Sequence, residues 1–362
     1  MSSPTPHRFR VRGPADLLAL VPYLLGYHPF DRLVAVGVRN AKPVFVASGD
    51  LPEPGTPPQQ IRAVLDTVAR LLARQHATAA VVIGYGTAER VDPVMAGIEP
   101  VFTAHQIRVH DALRVTGSRY FSYLCHNPDC CPPGGVPFDP TSSVLATRAT
   151  VAGLVAWPDR AALAALVAPI DGAARAAMRL ATERAQAQLM DLVTAADTSD
   201  STAQQHPHPD RNAELTNLRA RLHQTGHHAV RQAFDRYEHG ATLDDDEAAR
   251  LTLLLAYLPV RDEAWQRTEG RDEHVALWTD LTRRARPDLV LAPASLLAFA
   301  AWRRGNGARA NVALDRALAA DPSYRLALLL ADVIAQGVPP SALDGWPAIP
   351  GDAPTDRLDA GT

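Results

Sequence analysis

The sequence predicts an α/β N-terminal domain with a mixed sheet and two hairpins, followed by an all-α domain with one tetratricopeptide-like helix pair. Strand-like apolar runs occur only before about residue 144, where they alternate with helical patterns. Beyond that point Ala-rich segments with helical spacing continue almost to the end. The chain of 362 residues is also too long for one core of ordinary size, so two domains are expected. The predicted divisions are an α/β domain at 1–155, connecting helices at 156–196, a linker at 197–210, a helical domain at 211–337 and a flexible tail at 338–362.

The α/β domain begins with an apolar helix from Pro14 to Gly26, since proline is favoured in the first turn and glycine at the end. A β-hairpin, an amphipathic helix, a buried strand and a second helix follow, and a second hairpin closes the pattern. A loop at 125–135 that contains all three cysteines, called the cysteine loop below, comes after this hairpin. The segments are strands at 33–38 and 44–48, a helix at 59–74, a strand at 79–83, a helix at 91–105, and strands at 107–115 and 119–124.

The helical domain is predicted from apolar residues at helical spacing. One segment has the offsets of a tetratricopeptide helix pair, in which small residues allow close approach and proline ends the second helix. An ordinary α-hairpin in a helical bundle is the alternative. The residues at these offsets are Leu297, Gly305, Ala310, Leu314, Ala317, Leu318 and Pro322. The predicted helices are 161–167, 172–196, 211–238, 244–258, 273–284, 294–304, 308–320 and 323–336.

Composition excludes some classes of protein. Hydrophobic residues make up 47% and charged residues 21%, as in folded globular proteins. The net charge is −3 and no half is strongly basic, so nucleic-acid binding is not indicated. No apolar run approaches the roughly 20 residues that cross a bilayer, and no secretory signal opens the chain. We therefore expect a cytoplasmic protein without a membrane partner.

The three cysteines of the chain, Cys125, Cys130 and Cys131, lie within seven residues. Zinc is one interpretation, with His126 as the candidate fourth ligand, but the five-residue gap and the adjacent thiols fit the usual ligand spacing poorly. A reactive thiol is another. The flanking prolines and glycines favour a third, a rigid reduced turn. We predict no cofactor, and zinc remains an alternative.

Polar residues near strand ends form a second group of candidates. His28 and Asp31 precede the first strand, while Asp50 and Asp111 lie at or near strand ends. Together with Arg32 they provide an acid, a base and a cation for one pocket. Each also has a plain structural role as a cap, a hairpin closure or an ion pair.

A glycine-rich turn lies between the buried strand and the helix after it. Gly84 and Gly86 stand where α/β proteins bind phosphates, but Glu89 replaces the third glycine of a dinucleotide fingerprint. No Gly-Lys-Ser/Thr follows either. A plain turn is therefore the favoured interpretation.

Two motifs resemble an uncharacterised actinobacterial family catalogued as a domain of unknown function. One is Pro-x-Leu-Leu-Gly-[Phe/Tyr]-x-Pro at 22–29, preceded by Arg12-Gly13-Pro14-Ala15-Asp16; the other is Cys-x4-Cys-Cys-Pro at 125–132. The resemblance spans most of the chain and implies the fold boundaries and a cytoplasmic setting, but no activity or cofactor. Arg32 departs from it, because a small serine is usual there.

These observations together predict a binding or assembly protein. The helical half would present a surface for a protein partner. The alternative is an enzyme with a pocket formed by His28, Asp31, Asp50, Asp111 and the cysteine loop. The enzyme hypothesis requires these side chains to converge on one pocket, whereas the binding or assembly hypothesis does not.

Overall fold

The computed structural model describes residues 11–140, 143–198 and 211–343. The described residues form two compact units that divide between Leu163 and Ala164. Most of the predicted linker and of the predicted tail lies outside the described residues. Within the described ranges, no helix combines the length and the apolar character that crossing a bilayer requires.

The first unit contains a mixed six-stranded sheet in the order β2-β1-β3-β4-β5-β6. Strands β3 and β4 pair in parallel and every other pair is antiparallel. The two predicted hairpins are therefore present as β1–β2 and β4–β5. The strands are β1 (Arg32–Arg39), β2 (Lys42–Asp50), β3 (Ala79–Tyr85), β4 (Arg108–Thr116), β5 (Arg119–Ser122) and β6 (Val136–Pro137).

Helices α2, α3 and α4 pack on one face of this sheet. Their apolar side chains, such as Leu65 and Phe102, form one buried cluster with Ala80 and Val82 of β3. A parallel pair needs a crossover, and α3 and α4 supply it between β3 and β4. The helices are α1 (Pro14–Leu25), α2 (Pro58–Arg74), α3 (Ala88–Met95), α4 (Ile98–Ala104) and α5 (Val144–Val151), with α6 (Arg160–Ala165) at the boundary of the units.

The single helix predicted at 91–105 is two helices. The first ends at Met95 and the second begins at Ile98. Between them, a Cβ on Gly97 would lie 3.0 Å from the Leu65 side chain on α2. Glycine at this position allows the break to lie close against α2.

The second unit is all-α, as predicted. The predicted helix at 244–258 ends at Leu254, because Pro259 lacks the amide that would continue it and instead opens a new helix. The helices are α7 (Gly172–Thr198), α8 (Arg211–Glu238), α9 (Asp245–Leu254), α10 (Leu258–Arg267), α11 (Asp272–Arg284), α12 (Leu291–Arg303), α13 (Gly307–Ala320) and α14 (Arg325–Ala335).

Helix α12 is the centre of the second unit. Residues 292–302 are all buried, and α12 packs against α10, α11, α13 and α14. Gly305, with φ of 84°, turns the chain from α12 into α13, so the two form a helix hairpin. Aromatic pairs fill the spaces between helices, with the Trp265 and Phe299 rings stacked at 4.1 Å and Trp278 edge-on to Phe234 at 5.8 Å.

His274 makes the stability of the second unit depend on pH. The ring is buried against Phe234, its Nδ1 accepts a hydrogen bond from the Glu269 amide at 2.8 Å, and Nε2 lies 3.6 Å from Glu238. Burial first, and then the Arg271 charge, lower the pKa of His274 below its usual 6.5, against the opposing effect of Glu238. The neutral ring is therefore the folded form.

We expect the second unit to lose stability as the pH falls below about 6.5, because the unfolded chain then binds a proton that the folded chain does not. Urea unfolding between pH about 7.5 and pH about 5 would measure this loss. The variant His274→Asn retains an acceptor near the Glu269 amide but does not titrate. An equally steep pH dependence in this variant would assign the effect to another group.

Candidate functional site

The cysteine loop connects β5 to β6 and is folded around Asn127. The backbone amides of Cys130 and Cys131 both donate to the Asn127 carbonyl, at 3.3 and 2.8 Å. The Asn127 side chain accepts from the Asp129 amide at 3.0 Å. These bonds close a tight turn. The turn returns Cys130 and Cys131 towards Cys125.

The three thiols converge at this turn. Their Sγ atoms all lie within 4.8 Å of one another, and those of Cys125 and Cys130 are 3.2 Å apart. All three cysteines are free, since a disulfide requires about 2.05 Å between the sulfurs. Within the described residues no histidine, aspartate or glutamate joins the group, so the candidate ligand His126 is not part of it.

Ser122 and Asp111 support the base of the loop. The Ser122 hydroxyl accepts from the amides of Leu124 and Cys125, at 3.3 and 3.1 Å, and donates to Asp111 at 2.8 Å. The same Asp111 oxygen accepts from the Ala112 amide at 2.9 Å. Burial raises the pKa of Asp111, and these two hydrogen bonds oppose the rise. Asp111 therefore holds the loop to β4.

Hydrogen bonds among the three thiols shift their pKa values in opposite directions. Hydrogen bonds from Cys130, from Cys131 and from the Asn127 amide lower the pKa of Cys125. The hydrogen bond to Cys125 raises the pKa of Cys130, and the same interaction raises that of Cys131 to about 12. Cys125 is the thiol that ionises first.

The far end of the loop is held by β5. Gly135 has a φ of 78°, and a Cβ there would lie 2.7 Å from the Phe121 ring. The Arg119 guanidinium donates to the carbonyls of Gly134 and Gly135, at 3.2 and 2.8 Å. Of the two glycines predicted to reverse the chain, Gly135 is therefore required by its positive φ and its close contact, whereas a Cβ on Gly134 would meet no atom within 4 Å. The rigid-turn interpretation and the convergence of the thiols are compatible.

A cleft of about 240 Å³ borders Cys131, and no sequence motif indicates it. Its polar wall includes Asp92, which accepts from Arg114 at 3.1 Å and from the Tyr123 hydroxyl in a short hydrogen bond. The Arg114 guanidinium also lies 4.1 Å from the centre of the Phe121 ring. Asp92 and Arg114 come from α3 and β4, and no sequence motif marks either of them. Their charges neutralise each other in the cleft.

Asp31 and Asp50 are each paired with arginine. Asp31, with a φ of 51°, lies 2.6 Å from Arg90 on α3, and Arg90 also donates to the Leu51 carbonyl at 3.0 Å. Asp50 forms an ion pair with Arg32, the residue directly opposite it in the β1–β2 ladder. These pairs connect the ends of elements. Both carboxylates therefore have the structural role of an ion pair, the alternative to a role in a pocket.

The register places Asp50 and Asp111 far apart. Asp50 pairs with Arg32, Arg32 pairs with Tyr85, and Tyr85 pairs with Val115 on β4. Asp111 lies four residues before Val115, which is about 13 Å along the strand, and three strand spacings add about 14 Å across the sheet. These two carboxylates do not meet in one pocket.

The backbone amide of His28 donates to the Trp157 carbonyl at 2.8 Å, which ties the segment after α1 to the segment before α6. Burial lowers the pKa of its imidazole.

The glycine-rich turn after β3 is filled by side chains. A Cβ on Gly84 would lie 2.5 Å from Val91, and one on Gly86 would lie 2.9 Å from Leu51. Both glycines therefore allow β3 to pack closely against its neighbours. This packing agrees with the plain turn rather than a phosphate cradle.

The fold and the site together define a chain with a mixed six-stranded sheet, a three-thiol loop and an all-α second unit. A family model described as a domain of unknown function (DUF4192) matches residues 14–341. The chain belongs to this family, which confirms the predicted resemblance. No curated protein and no solved structure matches the chain.

Proposed function

We propose that the protein is an assembly protein whose helical unit binds a protein partner, and that this partner is a second copy of the same chain. The surface is an exposed stripe on α14 formed by Arg325, Leu328, Leu329 and Asp332, called the α14 stripe below. All four residues are exposed, with Leu328 at 41% and Leu329 at 58%. Two adjacent exposed leucines on a packed helix are the observation that carries the proposal.

The α14 stripe lies on one side of the helix. Its members are spaced at i, i+3, i+4 and i+7, which aligns them along a single face about 10 Å long. The opposite face is held by Ala327 and Leu330, which are buried where α14 packs on α12 and α13. The stripe is therefore presented by a helix whose other side is fixed.

The charges of the stripe support a second copy as the partner. Arg325 and Asp332 flank the two leucines at equal distances, with one charge of each sign. When two α14 helices pair antiparallel about a two-fold axis through the leucines, Arg325 of each copy lies opposite Asp332 of the other. The stripe is self-complementary in charge as well as apolar at its centre.

The same charges are unfavourable in an isolated helix. A cation in the first turn and an anion in the last turn both oppose the helix dipole. Across an antiparallel pair, however, Arg325 lies beside the partner's helix C-terminus and Asp332 beside its N-terminus. Pairing therefore offsets part of this cost.

The α12–α13 hairpin agrees with this role. Its tetratricopeptide-like offsets, the turn at Gly305 and the packing of α14 against both helices resemble one stacking unit with a following helix. Such units leave an apolar face on the last helix unless another helix covers it.

A cytoplasmic setting is part of the proposal, since three adjacent free thiols fit a reducing compartment.

Substitution of both stripe leucines, Leu328→Asn with Leu329→Asn, tests the proposal. We expect wild-type protein to sediment as a dimer and the variant to dissociate with a Kd raised by more than about 1,000-fold, because four leucines leave the interface. Analytical ultracentrifugation over a concentration series measures this. Circular dichroism checks that both proteins are folded.

A matched control substitutes Leu180→Asn on α7, a leucine that is 49% exposed and lies outside the stripe. It should remain dimeric. A wild-type chain that is monomeric at every concentration would contradict the proposal, as would a control that dissociates as readily as the stripe variant. The enzyme alternative receives no comparable support, because its acids are separately paired.

A further inference from the structure

We propose that Cys125, Cys130 and Cys131 form a binding site for a thiophilic d¹⁰ cation, with Zn²⁺ as the ion, whose fourth coordination position is open to water. This inference is independent of assembly through α14. It rests on the position of the thiols and on the bonds that hold the loop.

The spacing of the sulfurs fits one ion. Around a tetrahedral zinc, with Zn–S bonds of about 2.3 Å, the sulfurs lie about 3.8 Å apart. In this loop two sulfurs are 3.2 Å apart and all three lie within 4.8 Å, so shifts of less than about 1 Å bring them to a common centre. Cys130 is exposed and the other two cysteines are only partly buried, so their side chains have room for such shifts.

The loop also has the outer-shell features of a metal site. The two hydrogen bonds to the Asn127 carbonyl fix the backbone of Cys130 and Cys131, and the Ser122–Asp111 pair fixes that of Cys125. Hydrogen-bonded supports of this kind orient ligands before the ion arrives. A chain needing only a turn would not require three thiols on the same side.

A disulfide is the main competing use of the thiols. Joining Cys125 to Cys130 would use two sulfurs and would leave Cys131 beside them without a role. A metal ion uses all three, and each coordinating thiol releases its proton to the buffer. Three protein ligands and one open position are also the arrangement of zinc sites that hold a water molecule.

Titration of the full-length reduced protein with Co²⁺, a spectroscopic substitute for Zn²⁺, tests the site. We expect one Co²⁺ per chain, thiolate-to-cobalt charge-transfer bands and the intense visible bands of tetrahedral cobalt. Added Zn²⁺ should displace the Co²⁺ and bleach both sets of bands. Cys130→Ser and Cys131→Ser should each weaken Co²⁺ binding by more than about tenfold. Loss of an outer-shell hydrogen bond alone weakens metal binding by at least about tenfold, and these variants remove a direct ligand.

His126→Ala is the matched control, because His126 is adjacent to Cys125 but lies outside the thiol group. It should bind Co²⁺ and Zn²⁺ as the wild-type chain does. The leucine variant of the α14 stripe should also bind normally, which separates this proposal from the assembly proposal.

The site is disproved if charge-transfer bands fail to appear while thiol counting finds all three thiols reduced. It is equally disproved if the serine variants bind as tightly as the wild-type chain. A Cys125–Cys130 disulfide in anaerobically purified protein, with a mass two hydrogens lower, would favour the competing use.

Discussion

Trp278→Ala should cost about 3–5 kcal/mol of the free energy of unfolding of the helical unit, the largest single effect we expect in that unit. The Trp278 side chain is fully buried on α11, and its indole N–H donates to the Thr268 hydroxyl at 3.0 Å. The Phe234 ring packs edge-on against it at 5.8 Å. Alanine would leave a cavity between α8 and α11 and an unpaired acceptor on Thr268.

Trp278→Phe tests how much stability a smaller aromatic ring without the hydrogen bond preserves. It retains most of the ring volume but removes the hydrogen bond and part of the indole, so we expect a smaller loss of about 1–3 kcal/mol. Urea unfolding of both variants, followed by circular dichroism, gives the two values. A loss below about 1 kcal/mol for Trp278→Ala would show that Trp278 is not in the core.

Gly84→Ala should destabilise the α/β unit by about 1–3 kcal/mol. The added Cβ would lie 2.5 Å from one methyl group of Val91 and 3.1 Å from Met95, both on α3. Both side chains are buried and have little room to move away. The substitution would therefore push α3 from the sheet.

Gly49→Ala is the matched control for this substitution. Gly49 and Gly84 flank Leu33 of β1 on its two sides, and a Cβ on Gly49 would meet no atom within 4 Å. We expect the control to be neutral or slightly stabilising, because alanine loses less backbone entropy on folding. Equal effects at the two glycines, measured as midpoints of urea unfolding, would refute the close packing of α3 on β3.

The sequence predicted most of the fold because its patterns are local. The hairpins β1–β2 and β4–β5 and most helices were recognisable from apolar periodicity. The break at Gly97 was missed, since the apolar pattern continues through it. Helix α10 (Leu258–Arg267) was not predicted, since it is short and has few apolar residues. The two-residue strand β6 is too short for periodicity to reveal.

The site was less predictable because it depends on contacts distant in sequence. Spacing alone argued against Cys130 and Cys131 sharing one ion, yet the turn at Asn127 brings both to Cys125. Asp111 was identified as a candidate, but its support of the loop through Ser122 depends on the pairing of β4 with β5. Asp92 had no sequence signal, because only the tertiary fold places it near Arg114.

Charge reversal on the α14 stripe should weaken self-assembly of the helical unit. Arg325→Asp and Asp332→Arg each place like charges opposite one another in the antiparallel pair. Each single reversal should raise the dimer Kd about tenfold, since two exposed ion pairs of about 0.7 kcal/mol each are lost.

Sedimentation equilibrium of the two single variants and of the double variant is the decisive measurement. We predict that the double reversal restores a Kd near that of the wild-type chain, because opposite charges face each other again. A double variant as weak as the sum of the two single losses, or a wild-type chain without a dimer, would contradict assembly through α14.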